Sequence, residues 1–131
     1  MAYRVNTEPG LVSIEFFSTF SPDDLVQLAE LAEEVERQTD PAPNRLVDMR
    51  NLSGVEIRFP DMDWLAKRRR TQRLKNPVKT AIVASRPLPV GYGRMFQELM
   101  DHPQIEIKLF STVEAARLWL AGVSESGTGE P

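Results

Sequence analysis

The pattern of apolar and polar residues predicts strands that alternate with helices along most of the chain. Strands are predicted over five segments: 3–7, 11–17, 45–49, 78–84 and 105–110. The Glu-Pro-Gly sequence at 8–10 predicts a β-hairpin between the first two, since proline presets φ and glycine accepts positive φ. Residues 78–84 form a nearly continuous run of β-branched and small apolar residues. Such a run is typical of a central parallel strand that is covered on both faces.

Apolar residues recur at helical spacing between and after these strands. Helices are predicted over four segments: 22–38, 62–75, 92–101 and 112–121. We expect Ser21 to cap the first helix, with Asp24 placed to close a capping box. By the same reasoning Asp61 is expected to cap the second helix. Ser111 is expected to cap the fourth, with Glu114 completing a capping box there.

This order of elements predicts an α/β fold with a mixed, mostly parallel sheet of about five strands and about four helices. The N-terminal β-hairpin is expected to add an antiparallel edge to that sheet. A length of 131 residues suits one domain. We assign residues 1–121 to this domain and residues 122–131 to a flexible C-terminal tail, because the tail is rich in Gly and Ser.

Composition narrows the possible chemistry. The chain has no cysteine and one histidine, so a disulfide framework and a thiolate metal site are excluded, and we predict no metal or cofactor. The N-terminus lacks the layout of a signal peptide, and the apolar runs are too short for a membrane span. These features together predict a cytoplasmic protein.

Charge is distributed unevenly. Residues 64–79 hold seven Lys and Arg and no acid, although the net charge of the chain is -3. The basic run could be solvated, could pair with the acidic face of the first helix, or could contact an anionic partner or a second copy. Nucleic acid is not expected as a partner, because the protein as a whole is acidic and only Phe59 and Trp64 lie near the run.

Several segments, taken in order, resemble one known family. They are FSPDDL, LVDMRNL, KTAIVA, GYGRMFQ and IKLFSTVEAARLWL. Over residues 3–121 the chain resembles the STAS / SpoIIAA-like family of anti-sigma-factor antagonists. The resemblance implies a bacterial binding or regulatory protein. Some members are phosphorylated on a serine where the helix after the third strand begins. Residues 58–61 have no hydroxyl at this place, and Ser53 lies earlier in the loop, so we predict no phosphoserine switch.

Our first hypothesis is therefore a non-enzymatic regulatory or protein-interaction module that binds a protein partner or forms a homodimer. The loop 53–60 and the helix 62–75 would form the contact face. The interface residues that we predict are Val55, Ile57, Phe59, Arg68 and Arg69. No catalytic residue is predicted. Asp48 ends a strand but has no nucleophile or second acid at a recognisable spacing, and is expected to bind loop amides or Arg50. His102 is expected to complement the dipole at a helix end.

The alternative hypothesis is a domain that binds a small anionic or acyl ligand. The Pro-rich segment 85–91 is expected to be a loop, with the Gly-Tyr-Gly-Arg sequence at the following helix start. Glycines at a helix N-terminus let the backbone approach an anion, and ligands of open α/β sheets bind beyond the carboxyl ends of strands. The ligand-binding residues that we predict are Ser85, Arg86, Tyr92, Gly93 and Arg94. A tight strand-to-helix connection would explain the same glycines without a ligand.

Overall fold

A computed structural model describes residues 3–122. Seven strands are formed: β1 (Tyr3–Glu8), β2 (Leu11–Phe16), β3 (Thr19–Phe20), β4 (Asn44–Asp48), β5 (Gly54–Val55), β6 (Val78–Val83) and β7 (Ile105–Phe110). Four helices accompany these strands within residues 3–122: α1 (Pro22–Gln38), α2 (Phe59–Arg70), α3 (Pro87–Leu99) and α4 (Val113–Leu120). Residues 123–131, most of the expected tail, lie outside the described residues.

The main sheet has five strands in the order β1-β2-β4-β6-β7. β1 and β2 form the predicted antiparallel hairpin, with Gly10 at a φ of 75° in its turn. The other neighbouring strands pair in parallel. The predicted fold class, a mixed and mostly parallel sheet with an N-terminal hairpin, is confirmed. The two-residue strands β3 and β5, which pair with each other in parallel, were not expected from the sequence.

Both faces of the sheet are covered, and β6 lies inside. Ile82 belongs to the larger core, which α1, α2 and α3 cover. Ala81 and Val83 point the other way, into a smaller core with Ala116 of α4. Val83 and Ala81 are fully buried. The prediction that residues 78–84 form an interior strand is confirmed.

The expected cap is present at α1 and differs at α4. The Ser21 capping box is present, because Ser21 Oγ accepts from the Asp24 amide at 3.2 Å and the Asp24 carboxylate accepts from the Ser21 amide at 3.0 Å. The cap of α4 is Thr112 and not Ser111. Its hydroxyl accepts a hydrogen bond from the Ala115 amide at 3.2 Å.

The second helix lies earlier in the chain than predicted. α2 begins after Arg58, so that Asp61 lies in its first turn and accepts from the Arg58 amide at 2.9 Å. It ends at Arg70 and not near Lys75. The following segment is held by tertiary contacts instead, because the Leu74 amide and carbonyl both bond to the side chain of Gln104, at 2.9 and 2.8 Å.

Candidate functional site

The loop between β4 and α2 lies where ligands and partners of parallel sheets are usually bound, beyond the carboxyl ends of the strands. The Arg86 guanidinium donates to the carbonyl of Leu52 and, at 3.3 Å, to that of Arg50. Tyr92 Oη donates to the Ile57 carbonyl at 2.6 Å, and the Glu56 amide donates to the Phe20 carbonyl at 2.8 Å. The loop is therefore fixed along its length by α3 and β3.

The fixed loop and the start of α3 enclose a groove with a volume of about 350 Å³. Its walls are Leu52, Ser53, Gly54, Val55, Arg86, Pro87, Leu88 and Pro89. Leu88 is 54% exposed, and Phe59, the first residue of α2, is 55% exposed. We call residues 52–55, Phe59 and 86–89 the loop face. It presents large apolar side chains on a fixed backbone.

The interface residues predicted from the sequence are only partly at the surface. Phe59 is exposed and Val55 is half-buried. Ile57 was expected to be exposed but is 1% exposed, because it points into the larger core. Arg69 is 3% exposed, since its guanidinium lies between α1 and α2. Arg68 is half-buried and binds Glu33.

Only part of the predicted ligand-binding set lies at a helix start. α3 begins at Pro87 with Arg86 as its N-cap, so residues 87–91 are helical instead of a loop, and Gly91 and Gly93 lie inside the helix. Two prolines in the first turn are compatible with a helix, because that turn does not use their missing amide hydrogens. The argument from a glycine-rich helix N-terminus is therefore wrong for this chain.

These residues also do not gather around one cavity. Arg86 lines the groove, whereas Tyr92 and Gly93 line a cavity inside the larger core. A Cβ on Gly93 would lie 3.1 Å from Leu109 Cδ2, so glycine allows α3 to pack closely on β7. Ser85 and Arg94 are exposed. Their role in binding a ligand stays a prediction.

The carboxylate of Asp48 is fully engaged. It accepts from Arg50 Nε and Nη2, both at 2.9 Å, and from the Arg50 amide at 3.1 Å. The hydrogen bonds that Arg50 donates to Asp48, and the charge of Asp48, raise the pKa of Arg50. The expected pairing of these residues is confirmed.

His102 is buried and connects two loops. One ring nitrogen lies 2.6 Å from the Gln72 carbonyl, and Nδ1 accepts from the Gln104 amide at 2.9 Å. α3 ends at Leu99, so the expected role as a dipole-complementing cap is wrong. Within residues 3–122, no group of three or more His, Cys, Asp or Glu is placed to hold a metal ion.

The basic run of α2 pairs with the acidic face of α1, one of the alternatives that the sequence left open. Arg68 Nε and Nη2 donate to both oxygens of Glu33, at 2.6 and 2.7 Å. Arg69 donates to both oxygens of Glu36, at 3.1 and 2.5 Å. Gln72 links the pairs, since it accepts from Arg69 at 2.7 Å and donates to Glu33 at 2.6 Å.

Arg45 on β4 joins this group, which sequence reasoning missed. Its Nη1 lies 3.1 Å from Glu36 Oε2, the oxygen that also binds Arg69. Burial and the charge of Arg69 lower the pKa of Arg45 to about 10, against the opposing effect of Glu36. Arg45, Glu36 and Arg69 are called the buried ionic cluster below. One signal for this role was available in the sequence. Arg45 and Val47 are two residues apart on a predicted strand, so their side chains point to the same face of the sheet.

The comparisons with known proteins agree with the observed fold. A model of the SpoIIAA-like family matches residues 11–121. The chain therefore belongs to the SpoIIAA-like family, as the resemblance implied. No curated protein matches the chain.

Two solved structures share the fold. The first is an uncharacterised protein with a SpoIIAA-like fold from Shewanella loihica PV-4, with 19% identity and a TM-score of 0.59. The match covers 91% of this chain and 92% of that one. The second is the anti-sigma factor antagonist SpoIIAA in its unphosphorylated form, with 14% identity and a TM-score of 0.57. The match covers 92% of this chain and 99% of that one. No helix in the described part of the chain is long and apolar enough to cross a bilayer.

Proposed function

We propose that this chain is a non-enzymatic, cytoplasmic regulatory module of the STAS type that binds a protein partner through the loop face. The observation that carries the proposal is that exposed Phe59 and Leu88 lie beside a loop that Arg86 and Tyr92 anchor. A surface that is ordered before binding loses less conformational entropy on association. Clustered apolar side chains at the centre of an interface supply much of its affinity.

The start of α2 supports binding without a phosphoserine switch. The first turn of α2 begins Phe59-Pro60-Asp61, which has no hydroxyl to phosphorylate. The Asp61 carboxylate already accepts the Arg58 amide, so this helix N-terminus has an acidic side chain where a phosphorylated serine would bring its charge. Ser53 is exposed in the groove, on the loop before the helix. The partner would therefore meet a helix start that serine phosphorylation does not switch.

The side chains with potential chemistry support a non-enzymatic role. Both carboxylate oxygens of Asp48 accept hydrogen bonds from the guanidinium of Arg50. Asp48 is therefore poorly placed to act as a general base. His102 is buried and bonded through both ring nitrogens to loop backbone. A general base must reach the proton that it removes from a substrate, and neither residue is placed to do so.

Site-specific photo-crosslinking in the source organism tests the partner-binding face. A photoreactive phenylalanine analogue would replace Phe59 in one variant and Leu88 in another, with exposed Leu118 of α4 as the matched control. We expect the first two positions to give an adduct with the same protein and position 118 to give none. An adduct that forms equally from all three positions, or from position 118 alone, would contradict the proposal.

Sedimentation equilibrium then shows whether the partner is a second copy of this chain. If it is, we expect a dimer that Phe59→Ser weakens and Leu118→Ser leaves unchanged. A strict monomer at high concentration would exclude the homodimer and leave a different protein as the partner.

The alternative function, binding of a small anionic or acyl ligand at residues 85–94, is favoured by one observation. The groove of about 350 Å³ has Arg86 in its wall. A thermal-shift screen with phosphate, nucleotides and short fatty acids tests it, since a ligand at 100 times its Kd stabilises by about 2.7 kcal/mol. We expect any such shift to disappear in Arg86→Met. Stabilisation that survives in this variant would contradict binding in the groove.

A further inference from the structure

The two edges of the main sheet differ in their protection. β7 is the last strand on one side, and Gln97 of α3 covers it there, because its Nε2 donates to the Ile107 carbonyl at 2.8 Å. β1 is the last strand on the other side, and no other element within residues 3–122 pairs with its outer edge. An open edge strand is a template for pairing with another chain.

β1 presents its outer hydrogen-bonding groups at regular spacing. Its six residues pair one to one with β2, and a two-residue turn follows, so that Glu8 and Leu11 close the hairpin. In such a hairpin the closing pair exchanges hydrogen bonds, and bonded pairs then alternate along the strands. The backbone amides and carbonyls of Val5 and Thr7 therefore point outward. β1 has neither the bulge nor the internal proline that often protect an edge.

The charges of β1 make the strand complementary to a second copy of itself. When two β1 strands pair antiparallel about a twofold axis at Asn6, Val5 of each copy lies opposite Thr7 of the other, so the outward backbone groups meet. Arg4 of each copy then lies opposite Glu8 of the other. Both charged residues are exposed. Opposite charges that face each other across two strands stabilise their pairing.

The neighbours of these charges within one chain continue the pattern. Arg4 Nε lies 3.9 Å from Glu15 on β2, and Glu8 accepts from Arg117 of α4 at 3.0 Å. The paired strands would therefore carry a row of alternating sign, from Glu15 and Arg4 of one copy to Glu8 and Arg117 of the other. A register two residues away in either direction places Asn6 opposite a charge and loses both new ion pairs.

We propose that two copies of this chain associate through their β1 strands, which would join the two sheets into one continuous sheet. The outer backbone groups of Val5 and Thr7 would exchange hydrogen bonds, as in recognition by strand addition. The contact is small, so the dimer is expected to be weak and to form only at high protein concentration. No residue of β1 belongs to the loop face, so this association does not rest on the proposed function.

Sedimentation equilibrium of the intact chain tests the pairing of β1. Thr7→Pro removes an outward amide hydrogen and leaves the hydrogen bonds of the hairpin, because proline is tolerated at an edge where its missing amide hydrogen faces solvent. We expect the dissociation constant of the dimer to rise at least about tenfold, since two hydrogen bonds are lost per dimer. Thr7→Ala keeps the amide and is the matched control. A strict monomer for the wild type, or a Thr7→Pro variant that dimerises as wild type, would overturn the proposal.

Two charge-reversal variants test the register. Arg4→Glu places acidic residues opposite each other at both ends of the paired strands, and Glu8→Arg places basic residues there. We expect each variant alone to dimerise at least about tenfold more weakly than wild type, because like charges directly opposite destabilise a strand pair. An equimolar mixture of the two should dimerise again, since every glutamate then faces an arginine. A mixture that associates no better than the separate variants would overturn this pairing.

Phe59→Ser distinguishes this dimer from one formed through the loop face. Phe59 is exposed at the start of α2 and is not part of β1. We expect Phe59→Ser to leave the β1 dimer unchanged. A dimer that Phe59→Ser weakens and Thr7→Pro leaves intact would overturn the pairing of β1 and support the loop face instead.

Discussion

The two faces of the central sheet carry ion pairs of opposite character. Under α1, α2 and α3, the side chains of Glu36, Arg45 and Arg69 are 14%, 13% and 4% exposed. On the α4 face, Glu8 and Arg117 form a pair whose side chains are 45% and 47% exposed. Both sets join side chains of different secondary-structure elements, so they differ mainly in their access to water.

That difference decides what each set can contribute. Exposed pairs are screened by salt and gain little over solvated ions. Buried pairs have lost their hydration, so removing one partner leaves a charge with nothing to compensate it. The buried ionic cluster has two cations and one anion, and its anion is therefore the residue on which the core depends most.

The largest effect is expected from Glu36→Gln. The substitution leaves Arg45 and Arg69 side by side in the core with no carboxylate, and we expect the free energy of unfolding to fall by about 3–5 kcal/mol. Urea unfolding followed by circular dichroism measures it. Glu34→Gln, on the exposed side of the same helix, is the matched control and should change it by less than about 0.5 kcal/mol. A loss for Glu36→Gln no larger than that of the control would show that the core tolerates the unpaired cations.

The next largest loss of stability is expected from Glu33→Gln, and this loss should depend on pH. Its hydrogen bond from Arg68 holds the pKa of Glu33 below the usual 4.5, with help from Gln72 and against the effect of burial. A lowered carboxyl pKa adds stability above pH 4.5 that is lost as the pH falls through the folded value. We expect Glu33→Gln to cost about 1–3 kcal/mol at neutral pH. The difference from wild type should shrink below pH 4.5. Urea unfolding at several pH values measures it, and a difference that stays constant down to about pH 3 would contradict the assignment.

The five strands of the main sheet could be predicted because their signal is local, unlike the two-residue strands β3 and β5. Residues 78–84 contain enough consecutive apolar residues to identify an interior strand, and the turn at Gly10 identifies the hairpin. The start of α3 could not be predicted in the same way. Pro87 and Pro89 suggest a loop by composition, but both fit the first turn of a helix. Gly93 was associated with an anion, whereas its small size serves the packing of α3 on Leu109.

In the candidate sites too, contacts between residues close in the sequence could be predicted, and contacts that depend on tertiary packing could not. Asp48 and Arg50 are two residues apart, so their pairing could be predicted from the sequence. Arg45 binds a residue of α1 and lies beside one of α2, and this meeting follows only from the stacking of helices on the sheet. Ile57 was predicted to belong to an exposed contact face in the loop 53–60, yet the loop folds it into the core.

Arg45→Met is expected to change the free energy of unfolding by less than Glu36→Gln or Glu33→Gln, and to raise it if it changes it at all. Methionine fills much of the same space without a charge, and Glu36 and Arg69 remain as a balanced pair. We expect the free energy of unfolding to stay within about 1 kcal/mol of wild type or to rise, since replacing a poorly compensated buried charge by an apolar group is often neutral or stabilising. Arg45→Lys keeps the charge and is the control, with no gain expected. Urea unfolding of both variants decides the question, and a large loss for Arg45→Met would mean that Arg45 is fully compensated in the folded chain.

The smallest effect on stability is expected for an ion pair that has good geometry but is exposed to water. Arg117 Nη2 donates to Glu8 Oε2 at 3.0 Å, and this hydrogen bond lowers the pKa of Glu8. The pair nevertheless lies in solvent, where screening at an ionic strength of about 0.15 M weakens it. We expect Glu8→Gln and Arg117→Met to unfold at the same urea concentration as wild type at this salt concentration, and any difference to appear only at low salt. A salt-independent loss as large as that of Glu33→Gln would mean that burial does not distinguish the two faces.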